Sequence, residues 1–148
     1  MSVDTDESAC EQLLELLFVA EDVPKLRLRI GECAAEAGLE EPRRGDFVLA
    51  VHEVACNAVE HGGGAGRLVV HLDDGVLRCR VSDSGPGFTE DVIPPEPPGL
   101  FGGEGGRGLW LTRQLADRLE IAAGPVGAVV TVAMRLGRPP GGSSGVRP

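Results

Sequence analysis

The sequence predicts an α+β fold: a two-layer sandwich in which about three helices cover one face of a mixed, mostly antiparallel sheet. Three observations lead there. Strand-like and helix-like segments alternate in the order βααββαββ. The turn Asp73-Asp74-Gly75 joins two short apolar runs and marks a hairpin. The chain has 148 residues, 42% of them hydrophobic, which is enough to bury one core and leaves little for a second domain.

The elements follow in order. Residues 1–13 are acidic at the start and are expected to be a flexible N-terminus, lacking the basic and apolar pattern of a signal peptide. Leu14 to Ala20 reads as a strand, ending at Glu21-Asp22-Val23-Pro24. Asp22 can cap a helix that runs to Ala37, with Gly38 as its stop. Pro42 opens a second helix through Phe47, Val51 and Asn57, ending near His61-Gly62. Arg67 to Leu72 and Val76 to Asp83 form the hairpin. A third helix is expected from Gly108 to Leu119, then strands at Glu120–Ala123 and Gly127–Leu136. The ordered domain is thus expected over 14–136, and 137–148 as a disordered Gly/Pro tail.

Gly and Pro supply 13 of the 24 residues from Gly85 to Gly108. A loop of that length inside a compact domain is typically a lid or a binding loop. The net charge is −9, and Lys25 is the single lysine, so the overall field opposes nucleic acid. No apolar run approaches the roughly 20 residues of a membrane span. The expected setting is cytoplasmic. The four cysteines, 10, 33, 56 and 79, include no Cys-x-x-Cys pair and read as ordinary thiols.

On a helical wheel with Glu53 at zero, Asn57 falls at about 40° and His61 at about 80°. The three form one polar stripe bordering an apolar arc that holds Val51, Val54, Ala55 and Ala58. Such a stripe is either a solvent-facing edge or the wall of a pocket. Asp83 stands at a strand end before Gly85 and Gly87, where a ligand could approach the backbone closely. An ionised carboxylate only accepts hydrogen bonds, which suits an exocyclic amine such as that of adenine. The plain alternative is a turn. Gly102 to Leu109 runs into a helix start, whose free N–H groups suit phosphate. Gly103, Gly105 and Gly108 satisfy G-x-G-x-x-G, but no tight βα turn precedes them, and a Walker loop is excluded for want of Gly-Lys-Ser/Thr.

Together these segments resemble a known family. Glu53-x-x-x-Asn57-x-x-x-His61, Asp83-x-Gly85-x-Gly87-Phe88 and Gly105-Gly106-Arg107-Gly108-Leu109 look like the N, G1 and G2 boxes of the histidine-kinase-like (GHKL) ATPases, in their order and spacing. Their surroundings are most similar to the anti-sigma-factor serine/threonine-protein kinases. The resemblance covers roughly 14–136 and implies the Bergerat ATP-binding fold, with ATP and Mg²⁺ as cofactors. It implies that Glu53 is the catalytic base and that Asn57 is a metal ligand. His61, Asp83, Gly85, Gly87, Phe88, Gly105, Gly106, Arg107, Gly108 and Leu109 would line the nucleotide site, with residues 89–107 as the ATP lid. It also implies a likeness to regulators that phosphorylate an anti-anti-sigma (STAS-type) protein, sequester a sigma factor and form homodimers, without direct contact to nucleic acid or membrane. The other reading is a non-catalytic, nucleotide-dependent binding module of the same fold.

Two departures stand out. Where close relatives carry Gly-Thr-Thr, this chain reads Gly127-Ala128-Val129, so a hydroxyl near adenine is lost or replaced. Glu60 stands where sensor histidine kinases often carry a phosphate-facing lysine. The acidic Glu90, Asp91 and Glu96 in the expected lid have no functional account.

Overall fold

Alternating apolar residues along consecutive strands zip the sheet together from its hairpin. The computed structural model describes residues 10–83, 104–123 and 127–137. Strand β2 (Ala65–Asp73) and β3 (Val76–Asp83) pair antiparallel, with Leu68 opposite Val81 and Val70 opposite Cys79, so their apolar residues share one face. The turn places Asp74 and Gly75 both at positive φ, the backbone a two-residue hairpin loop demands. Strand β1 (Cys10–Val19) pairs with β2 on one side. On the other, β5 (Ala128–Arg135) pairs with β3 and then with β4 (Arg118–Ala123), giving the order β1-β2-β3-β5-β4.

Three helices cover one face: α1 (Val23–Ala37), α2 (Arg43–His61) and α3 (Glu104–Leu115). Phe47, Val51, Val54 and Ala58 of α2 join Leu26 and Ile30 of α1 against Leu68, Val70, Val81 and Val132 of the sheet. Each fully buried aliphatic side chain of this kind stabilises the fold by about 1.5–3 kcal/mol relative to its exposed state. Among the described residues no helix is long and apolar enough to cross a membrane.

The two-layer α+β architecture agrees with the expectation, and four local differences have identifiable causes. Every pairing is antiparallel, so the sheet is not mixed. The first strand starts at Cys10, inside the stretch expected to be flexible, because Cys10 to Gln12 find partners in Asp73 to His71. Asp22 does not cap α1 through its side chain; its carboxylate turns back to accept the Val19 N–H at 3.0 Å. The third helix runs Glu104–Leu115 instead of Gly108–Leu119, and Leu119 belongs to β4. Glycines 105, 106 and 108 argue against helix by about 1 kcal/mol each, yet burial of Leu109 and Thr112 holds this segment in place.

The end of that helix is fixed by an ionic clamp. Arg43, the first residue of α2, reaches Asp117 at 2.5 Å and donates to the Arg135 carbonyl at 2.9 Å. The Arg135 N–H in turn donates to Asp117 at 2.8 Å. Burial pushes the Asp117 carboxyl up, but the hydrogen bonds from Arg43 and Arg135 and the two guanidinium charges outweigh it and hold it below the ordinary value. A depressed native pKa contributes stability above the unfolded value of about 3.9, lost as pH falls through the native one. Asp117→Asn is therefore expected to destabilise by about 1 kcal/mol at neutral pH, the partial exposure of both groups limiting the effect. In denaturant unfolding the gap between the proteins should close below about pH 4; a gap that persists unchanged there refutes the ionic account.

Candidate functional site

The register between α2 and α3 assembles the candidate site. Asp117, just past α3, is tied to Arg43 at the start of α2. Five residues earlier, the buried Thr112 hydroxyl donates to the Ala50 carbonyl at 3.4 Å. The two contacts fix the helices side by side and antiparallel. Seven residues beyond Ala50, about 10 Å along the axis, lies Asn57; the same distance back from Thr112 lies Gly105. The first turn of α3, with Gly105, Gly106, Arg107 and Gly108, is thereby set beside the part of α2 that carries Asn57. A helix's first turn leaves its N–H groups without intrahelical partners.

The polar stripe of α2 is graded in burial. His61 is exposed beside Glu60, 3.8 Å away. Glu53 is half-buried. Asn57 is only 8% exposed, and its amide makes no hydrogen bond among the described residues. An amide without a protein partner keeps its donor and acceptor available to a polar ligand. The stripe is therefore not a uniformly solvated edge. The half-buried Cys56 thiol, 3.6 Å from His52 Nε2, is pushed up by burial and then by the charges of Glu53 and Glu60. It is a protonated, unreactive thiol, in keeping with the expectation for the cysteines.

Asp83 is held by backbone that approaches unusually closely. Its Oδ1 accepts the Ala128 N–H at 3.2 Å. A Cβ on Gly62, which follows α2, would lie 2.6 Å from Asp83 Oδ2, and one on Gly127 would lie 2.5 Å from Oδ1. Each such Cβ would also strike a backbone carbonyl, that of Ala58 at 2.6 Å for Gly62 and that of Asp83, closer still, for Gly127, so glycine is required at both places. The carboxylate is thus seated between the end of α2 and the start of β5. In the sequence Gly62 reads only as a helix end and Gly127 only as part of a departure, yet both flank the Asp83 carboxylate. Their signal was present: a glycine directly after the stripe and another directly before the last strand.

A cavity of about 460 Å³ touches Asp83, lined by Phe18, Asp22, Gly66, Arg67 and Ser82 among others. Neither Glu53 nor Asn57 lines it. Of the expected site residues, Glu53 and Asn57 share the polar stripe of α2, and Asp83 meets Gly62 just past the end of that helix; His61 is exposed, and Leu109 is buried as a packing residue. Gly85, Gly87 and Phe88 lie outside the described residues, as does most of the expected lid over 89–107. Among the described residues no three His, Cys, Asp or Glu side chains could hold a metal ion by themselves. Any cation here would need other oxygen donors, such as those of phosphate, beside Asn57.

Comparison with known proteins identifies the family and the fold. The sequence profile of the histidine kinase-like ATPase domain matches residues 18–134. A signal transduction histidine-protein kinase of Streptomyces coelicolor, AfsQ2, is 43% identical over 63 residues, covering 40% of this chain and 11% of that protein. The crystal structure of the RsbU and RsbW domains of Rv1364c from Mycobacterium tuberculosis superposes with a TM-score of 0.61 at 25% identity, over 85% of this chain and 33% of that one. The catalytic domain of the histidine kinase ThkA shares the fold, with a TM-score of 0.51 at 16% identity, over 83% of this chain and 97% of that domain. The chain thus spans about a tenth of its curated relative and a third of the first solved neighbour. With a profile match from Phe18 to Met134 and the matching fold, the chain belongs to the histidine kinase-like ATPase family.

Proposed function

We propose that this chain is an ATP-dependent serine/threonine-protein kinase that acts on an anti-anti-sigma protein and sequesters a sigma factor, a regulator of transcription. The observation that carries the catalytic half is the pairing, one helical turn apart, of half-buried Glu53 with the nearly buried, unpartnered Asn57. A binding module needs the second group and has no use for the first. The partner half rests on the likeness of the N, G1 and G2 segments to anti-sigma-factor kinases, and the solved neighbour that contains RsbU and RsbW domains supports it.

Bound at this site, ATP supplies a transferable γ-phosphoryl group and Mg²⁺ offsets the phosphate charge. The residues have separable tasks. Asn57 offers a neutral oxygen to the cation. The first turn of α3 offers backbone N–H groups to phosphate. Asp83, fixed between Gly62 and Gly127, accepts a hydrogen bond from the adenine amine. Glu53 takes the proton of the attacking serine or threonine hydroxyl.

Two outcomes follow. Because guanine presents a carbonyl where adenine presents an amine, calorimetry should show ATP preferred to GTP by at least about fivefold, the lower end of a mismatched polar contact. Equal affinities would remove Asp83 from base recognition. Second, Glu53→Ala should keep ATP affinity and lower phosphoryl transfer by about 10²–10⁴-fold, whereas Asn57→Ala should weaken Mg²⁺-dependent ATP binding itself. Transfer is read with radiolabelled ATP and a candidate anti-anti-sigma protein. A wild type that binds ATP and transfers nothing to any candidate would mark a binding module. A folded Glu53→Ala protein that no longer binds ATP would make Glu53 a structural member of the site.

A further inference from the structure

The sheet face opposite the helices plays no part in the site described above. Register places Arg78 and Arg80 of β3 on this face, two residues apart on the central strand of the sheet. Arg80 lies in one row with Val69 of β2 and Thr131 of β5, and Arg78 in the next with His71 and Ala133. Val69 and Ala133 are 6% and 4% exposed yet stand outside the core cluster, as expected where arginine stems lie across the sheet and cover it.

Three further arginines on this face have acidic neighbours: Arg135 acts on Asp117 through its charge, and the other two form ion pairs. Arg67 is paired with Glu15 and Arg118 with Glu120. Arg78 and Arg80 make no ion pair or side-chain hydrogen bond among the described residues. Among the described residues, a chain of net charge −9 therefore keeps these two guanidinium groups without an ion pair on the central strand of this face, while Leu17 of the edge strand β1, 77% exposed, stands opposite Arg67.

We propose that this open face docks an acidic polypeptide surface, whose carboxylates take Arg78 and Arg80. Charge complementarity selects the occupant. The surrounding acidic chain repels an acidic partner everywhere else, so a local cationic strip orients its approach. Arginine's planar fork matches a carboxylate bidentately. A nucleic acid would need a longer run of free cations than two, against a field of the wrong sign.

The test uses the full chain and a fluorescent hexaglutamate peptide at low ionic strength, followed by anisotropy, with a six-nucleotide oligothymidylate in parallel. Hexaglutamate should bind the wild type, more weakly as salt is raised. It should bind Arg78→Glu/Arg80→Glu about tenfold more weakly, two pairs of ordinary surface strength, while ATP affinity stays unchanged as the mark of an intact fold. Arg78→Gln/Arg80→Gln should fall between the two. The proposal is overturned if hexaglutamate fails to bind, if charge reversal leaves its affinity unchanged, or if the oligonucleotide binds as tightly. It is equally overturned if the wild type is an oligomer that the reversed charges dissociate, since the face would then be occupied by a second copy.

Discussion

The carboxylate of Asp83 occupies a seat that exists only because two neighbouring backbones carry no side chain. Gly62 closes it from the end of α2 and Gly127 from the start of β5, and the Ala128 N–H fixes one oxygen. An ionised acid at a strand end would ordinarily swing into water. Held here, its orientation is fixed before any ligand arrives, and ordering it on binding costs little. The seat also ties the last turn of α2 to the sheet, so the helix that carries Glu53 and Asn57 is indexed to Asp83.

A second constraint acts at the far end of the same helix. The Arg43–Asp117–Arg135 clamp and the Thr112–Ala50 hydrogen bond set the register of α3 along α2. With both ends of α2 pinned, the glycine-rich first turn of α3 falls beside Asn57. The site is thus a product of where two helices cross the sheet, and its members come from three segments far apart in sequence. Catalytic groups held within a helix and at a strand end are positioned more rigidly than groups on loops.

Much of this was legible in the chain itself. The hairpin was marked by Asp74-Gly75, the two long helices by apolar periodicity and by Gly38 and Gly62, and the polar stripe by the spacing of 53, 57 and 61. The Asp-x-Gly-x-Gly and Gly-Arg-Gly segments became informative only in combination, since each alone reads as a turn. Other features resisted for physical reasons. Three glycines in five residues argue for a loop, and the burial of Leu109 and Thr112 that makes a helix of them is a tertiary effect. The clamp joins residues separated by 74 and 18 positions, which no local pattern reveals. The extension of β1 to Cys10 depends on pairing with Asp73 across the sheet. The roles of Gly62 and Gly127 follow from what an absent atom would strike, and that is visible only in three dimensions.

The claim on which the rest depends is that the glycine-lined seat of Asp83 is the adenine-recognising floor of the site. The most direct measurement is calorimetric titration of Gly62→Ala with ATP, run beside thermal unfolding of the same sample. The account expects a cooperatively folded protein whose ATP affinity has fallen by at least about tenfold, because the added methyl displaces the carboxylate that pairs with the base. A folded Gly62→Ala protein that binds ATP as tightly as the wild type would contradict it.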